Sequence, residues 1–86
     1  MTVTDIKIDK IENKKTKLVA HATVTLDDAL KLFNIKILEK EEGKYFIAFP
    51  SRKIEDRYYS LVEVSNDLYQ TISNEIISEY KRINEE

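Results

Sequence analysis

The sequence contains no cysteine and no tryptophan, and it has only one glycine, one proline and one histidine among its 86 residues. Without cysteine the chain can form no disulfide, and His21 alone gives a transition metal too few ligands. Loops that cradle phosphates need several glycines, and no serine here lies in a nucleophile-elbow sequence. We therefore expect no catalytic residue, no metal or cofactor, and no small-molecule substrate.

The sequence also lacks a run of about 18 apolar residues and an apolar N-terminal signal segment. We accordingly expect a cytoplasmic protein that does not bind membranes. Hydrophobic residues make up 42% and charged residues 35% of the chain, which is typical of a folded globular domain. A chain of this length forms one domain, residues 1–86, with a thin core, so a second subunit that completes it is expected.

The formal net charge of −2 excludes a protein that coats nucleic acid through its overall charge. Any binding to DNA or RNA must therefore come from a local basic patch. The densest basic segment follows Pro50 and contains Arg52, Lys53 and Arg57, with Tyr58 and Tyr59 beside them. Cations that neutralise phosphates and rings that stack on bases are typical of nucleic-acid binding, but a solvated charged loop remains the alternative.

Apolar and polar residues alternate in two N-terminal segments, residues 3–11 and 18–26, which predicts two strands. Residues 12–17 between them are polar and rich in lysine, so they form either a solvated loop tip or an accessory phosphate contact. Asp27 and Asp28 are typical turn residues. A third strand is predicted over 30–38, and its alternation slips between Leu32 and Phe33, which indicates a β-bulge or a bend.

Residues 40–43 predict a turn in which Gly43 takes a positive φ. The apolar run 45–49 then predicts a strand buried on both faces, and Pro50 ends it because proline cannot donate to a ladder. Residues 51–57 are predicted to be an exposed loop, and 58–64 another short strand.

A helix of about eighteen residues is predicted after an N-cap at Ser65 or Asn66. Its apolar stripe consists of Leu68, Ile72, Ile76, Tyr80 and Ile83. The predicted fold class is α+β, with an antiparallel sheet of four to five strands followed by one C-terminal helix that packs on it.

The run 45–53 resembles the signature G-x-F-[IV]-A-[MF]-P-S-[RK]-[RK] of the SpoVG family, the stage V sporulation protein G septation regulators. Further segments resemble that family in the same order along essentially the whole chain: residues 3–8, 22–27, 34–38 and 79–80. The resemblance implies a small homodimeric regulator that binds DNA and RNA, associated with division-septum formation, sporulation and gene expression. It places nucleic-acid contacts on the residues after the proline, here Ser51, Arg52, Lys53 and Arg57, and on the final helix.

The final helix departs from the family pattern. Tyr69 stands where relatives usually carry a basic residue, and Glu63 stands where a proline is common. From Asn66 onwards two basic residues are outnumbered by five acidic ones. These departures favour an alternative function, a protein-interaction adaptor in cell division or development without strong nucleic-acid binding.

Overall fold

The computed structural model describes residues 1–11 and 16–84, so most of the predicted loop over 12–17 lies outside the described residues. The elements in chain order are β1 (Val3–Lys10), β2 (Leu18–Leu26), β3 (Leu30–Glu41), β4 (Lys44–Ala48), β5 (Ser51–Ile54), β6 (Arg57–Ser60) and α1 (Asn66–Asn84). Strands β1 to β4 form one antiparallel sheet in the order β1-β2-β3-β4. This confirms the α+β class, a four-stranded sheet and a C-terminal helix.

Both predicted turns in this sheet are confirmed. Asp27 and Asp28 have φ values of 52° and 53°, and the Ala29 amide donates to the Leu26 carbonyl at 3.0 Å. Asp27 and Asp28 are the two central residues of this turn in the three-residue connection 27–29, and positive φ values at both are those of a type I′ turn, which aspartate tolerates. At the next turn Gly43 has a φ of 81°, as predicted, although β3 extends to Glu41 and shortens the turn.

The predicted β-bulge between Leu32 and Phe33 is also confirmed. Ala22 pairs with Ile35 while Val24 pairs with Leu32, so one residue of β2 faces two residues of β3. The extra residue is accommodated by a φ of 59° at Asn34, a conformation that asparagine adopts more readily than most residues. The bulge lets both Leu32 and Ile35 point into the core, where they are buried.

The core lies between one face of the main sheet and α1. Ser65 caps the helix, because its Oγ accepts a hydrogen bond from the Leu68 amide at 3.2 Å. The predicted stripe is confirmed: Ile72, Ile76 and Tyr80 are buried and Leu68 is partly buried. They pack with buried side chains of β2, β3 and β4: Ala20, Ala22, Val24, Leu26, Leu32, Ile35, Ile37 and Ile47.

The prediction that residues 45–49 are buried on both faces is wrong. Strand β4 lies at the edge of the sheet, and only its helix-facing side is covered. Ile47 is 2% exposed, whereas the neighbouring Phe46 is 40% exposed. The Tyr69 hydroxyl donates to the Ile47 carbonyl at 2.9 Å, so α1 blocks part of this open edge.

The predicted loop over 51–57 is also wrong, because its first residues form a strand. Strands β5 and β6 pair with each other as a separate two-stranded sheet. The predicted strand over 58–64 begins at Arg57 and ends at Ser60. The chain after Pro50 thus leaves the main sheet, as expected, but it does so as an ordered hairpin.

Candidate nucleic-acid interface

The β5–β6 hairpin carries all four residues predicted to contact nucleic acid. Its two-residue turn consists of Glu55 and Asp56, and Glu55 adopts a φ of 57°. At the other end, the Leu61 amide donates to the Pro50 carbonyl at 3.0 Å and closes the base of the hairpin. Pro50 has no N–H, so its carbonyl is the only backbone hydrogen-bonding group it can offer here.

The hairpin register divides the predicted site between two faces. Arg52 pairs with Tyr59, and Ile54 pairs with Arg57. Side chains of directly opposed residues share a face, so Arg52 and Arg57 are diagonal neighbours on the same side as Tyr59. The structure therefore brings the two arginines together.

Lys53 and Ser51 lie on the opposite face of the hairpin from the arginines. Lys53 pairs with Tyr58 and Ser51 with Ser60. The Lys53 Nζ lies 5.7 Å from the centroid of the Tyr58 ring, within the range of a cation–π contact. Lys53 is thus held beside a ring and does not join the arginine pair.

Every residue of the hairpin is exposed, including both strands and the turn. In the described ranges 1–11 and 16–84, ion pairs join Lys44 to Glu41 and Arg82 to Glu79, so the three hairpin cations take part in none. Glu55 and Asp56 are confined to the turn at the tip. The cations along the strands are consequently available to a polyanion from solvent.

The final helix offers a different electrostatic surface. Asp67 occupies its first turn, and Glu75 is exposed one turn before Glu79. Arg82 donates a hydrogen bond to Glu79, and this bond lowers the pKa of the Glu79 carboxyl from its usual value. Because Arg82 is engaged by this carboxylate, the helix contributes little free positive charge.

A second group of cations and aromatics was missed by sequence reasoning. Lys17, Lys40, Lys44, Tyr45 and Phe46 line a cleft of about 430 Å³ beside the β3–β4 turn. The Phe46 side chain lies on the face of the main sheet opposite to α1. The residues of the cleft come from three separate segments, since Lys17 precedes β2, Lys40 lies on β3 and the other three lie on β4, so they come together only in the folded sheet.

Burial raises the pKa of the Tyr45 hydroxyl above its usual value, with smaller contributions from the nearby Glu39 carboxylate and from Tyr80. The Tyr45 ring packs edge-on against Tyr80 at 5.1 Å between centroids. Tyr45 therefore stays neutral and forms a fixed wall of the cleft, since it is anchored to α1.

Within the part of the chain that the structure describes, no three histidine, aspartate or glutamate side chains are grouped so that they could hold a metal ion. None of its helices is long and apolar enough to cross a membrane.

Comparison with known proteins links the chain to one family. Residues 1–82 match the family described as SpoVG. A protein of Borreliella afzelii (strain PKo) named "Putative septation protein SpoVG" is 39% identical, over 98% of this chain and 90% of the relative. Relatives of the same name from Agathobacter rectalis and Finegoldia magna are 39% and 40% identical, over 94% and 93% of this chain and over 93% and 74% of their own lengths.

Proposed function

The chain belongs to the SpoVG family, and from this membership we propose that it is a homodimeric regulatory protein that binds DNA or RNA in the cytoplasm. Its relatives are named septation proteins, so the proposed process is division-septum formation and the gene expression linked to it. The proposed contacts are Arg52 and Arg57 on one face of the hairpin and Lys53 and Ser51 on the other.

The observation that carries this proposal is the exposed β5–β6 hairpin. Arg52 and Arg57 lie diagonally on one face beside Tyr59, an arrangement that suits two phosphates and one stacked base. A two-stranded ribbon also has dimensions that a major groove can accept. In the described part of the domain neither arginine takes part in an ion pair.

The homodimer is supported by the same element. An isolated two-stranded hairpin is marginally stable in water, and this one exposes Tyr58 on the face opposite to the arginines, with Leu61 just beyond it 61% exposed. A second subunit would cover part of this apolar surface. It would also double the number of hairpin cations from three to six per assembly, which gives a bivalent site.

The acidic helix favours a second candidate, a protein-interaction adaptor. Asp67 and Glu75 are exposed on α1, where they would repel a polyanion and attract a basic protein surface. The exposed tyrosines of the hairpin would then be protein contacts, because tyrosine is enriched in interface hot spots.

The test compares hairpin variants in titrations of labelled DNA and RNA. Arg52→Ala/Arg57→Ala should weaken binding and flatten the slope of log affinity against log salt by up to about 3.6 for a dimer on duplex DNA, at about 0.9 per phosphate contact. The melting temperature should not change, since exposed cations contribute little to packing.

Two matched controls accompany the arginine variant. Glu55→Gln/Asp56→Asn removes the carboxylates at the tip and should strengthen binding, because it removes repulsion from phosphates. Lys10→Ala removes one exposed cation of β1, at the opposite edge of the main sheet from β4, and should leave binding unchanged. If the arginine variant bound as tightly as the parent with the same salt slope, the hairpin would not be the contact surface.

A further inference from the structure

The main sheet has a face that no described element covers. Helix α1 packs against the face formed by Ala22, Ile35, Ile47 and their neighbours. On the opposite face two aromatic rings are open to solvent: Phe33 is 59% exposed and Phe46 is 40% exposed. Two large exposed apolar side chains on one sheet face mark it as a candidate interaction surface.

The β-bulge in β3 is what places Phe33 on this face. Leu32 and Ile35 both point into the core, so Phe33 and Asn34 between them lie on the other side of the sheet. In a regular strand Phe33 would point to the same side as Ile35. Asn34 adopts the positive φ that accommodates the extra residue. The bulge thus exposes the Phe33 ring, which regular pleating would have placed on the buried side.

Lysines accompany the two rings. Lys31 pairs with Thr25, and Lys36 lies between His21 on β2 and Ala48 on β4, so both project from the uncovered face. Of the two acidic residues of β3, Glu39 lies opposite Tyr45 and Glu41 forms an ion pair with Lys44, while the stretch from Leu30 to Leu38 and the whole of β4 have none. Asp5 and Asp9 project from this face only at its far edge, on β1. The half of the face formed by β3 and β4 is therefore cationic and aromatic.

This surface continues into the cleft beside the β3–β4 turn. Phe46 belongs to both, and the cleft adds Lys17 and Lys40, together with Lys44, which forms an ion pair with Glu41. Phe33 and Leu38, the cross-strand partner of Phe46, are five residues apart on β3, which corresponds to roughly 16 Å at about 3.3 Å per residue. A chain of several nucleotides would span that distance.

We propose that this face is a binding site for single-stranded nucleic acid, in which bases stack on Phe33 and Phe46 while Lys31, Lys36, Lys17 and Lys40 neutralise phosphates. The proposal rests on the proposed function. The hairpin would be one nucleic-acid contact surface, and this face would be a second one that selects single-stranded nucleic acid. Four-stranded sheets that present aromatics on one face are an established way to stack unpaired bases.

Single-stranded nucleic acid fits this face better than a duplex or a second copy of the chain does. In a duplex the bases are already stacked on each other, so they cannot stack on the phenyl rings of this face. A second copy of the chain would place this cationic patch against the same cationic patch in a two-fold interface. Such like-charge contacts oppose association.

The test uses fluorescence anisotropy with a labelled oligonucleotide of about 12 nucleotides, as single-stranded RNA, single-stranded DNA and the matching DNA duplex. Phe33→Leu and Phe46→Leu keep apolar bulk but remove the rings, and each should weaken single-strand binding by roughly 5- to 100-fold. Duplex binding should change by less than about twofold. Phe33→Trp and Phe46→Trp restore a ring and should restore binding.

The hairpin variant separates this inference from the proposed function. If Arg52→Ala/Arg57→Ala weakened binding while Phe33→Leu and Phe46→Leu did not, the sheet-face site would be refuted and the proposed function would stand. If the parent bound no strand at about 50 mM salt, both would fail. If the leucine variants instead changed the mass measured by light scattering and left single-strand binding intact, the face would be a subunit interface.

Discussion

Replacing Ile76 by alanine tests the position of the helix on the sheet. Ile76 is 0% exposed and lies in the middle of the core between Ile72 and Tyr80. Isoleucine-to-alanine changes in cores cost about 2–5 kcal/mol, and the cost depends on how far the surroundings can collapse. The sheet beneath the helix contributes Ala20 and Ala22 to this cluster, and such short side chains cannot fill the gap. We therefore expect the upper half of that range, about 3–5 kcal/mol.

Thermal unfolding followed by circular dichroism measures the effect. For a domain of this size about 1 kcal/mol corresponds to about 4–8 °C, so the melting temperature should fall by at least about 12 °C. If that variant does not fold, Ile76→Val should still cost about 0.5–1.5 kcal/mol. The matched control is Glu75→Ala at the exposed neighbouring position, which should shift the melting temperature by no more than about 2 °C. Equal, small shifts for both positions would mean that the assigned helix face is wrong.

Three further predictions concern the helix cap, the bulge and the assembly. Ser65→Ala removes the side-chain acceptor for the Leu68 amide and should destabilise by about 1 kcal/mol in urea unfolding, whereas Ser65→Asp should not. Asn34→Ala should cost about 1 kcal/mol because Asn34 has a φ of 59°, and Asn34→Gly should be neutral or stabilising; the reverse order would exclude the bulge. Light scattering at micromolar concentration should give twice the chain mass of 10.1 kDa, and a monomer would refute the homodimer.

The main sheet and the helix could be predicted because local and tertiary preferences agree there. The stripe through Ile72 and Ile76 has helical spacing, Ser65 is a strong cap, and Asp27 and Asp28 suit a tight turn. The slip in alternation at Phe33 located the bulge because Leu32 and Ile35 must both face the core. These features follow from side-chain periodicity, which the sequence displays directly.

The hairpin could not be predicted because its strands have no buried face. Ser51 to Ile54 show no apolar alternation, and every one of them is exposed. Its turn is Glu55–Asp56, with a positive φ at Glu55, whereas the usual sequence signal would be Asn-Gly or Asp-Gly. The grouping of Arg52 with Arg57 depends on this register, so the sequence alone grouped Arg52 with Lys53.

The uncovered sheet face was missed for a different reason. A continuous apolar run such as 45–49 is typical of a strand buried on both sides, and the position of β4 at an edge is a property of the whole topology. Phe46 was therefore assigned to the core although it lies on the open face. Periodicity shows which residues share a face, but it does not show whether a second layer covers that face.

The most direct test of nucleic-acid binding is a titration of the unmodified protein with labelled DNA and RNA at about 50 mM and about 200 mM salt. Six hairpin cations in a dimer, each contacting one duplex phosphate, predict binding at the lower salt and a loss of affinity of about 10³-fold at the higher. Absence of binding to both nucleic acids at about 50 mM salt would contradict the proposed function and leave the adaptor in its place.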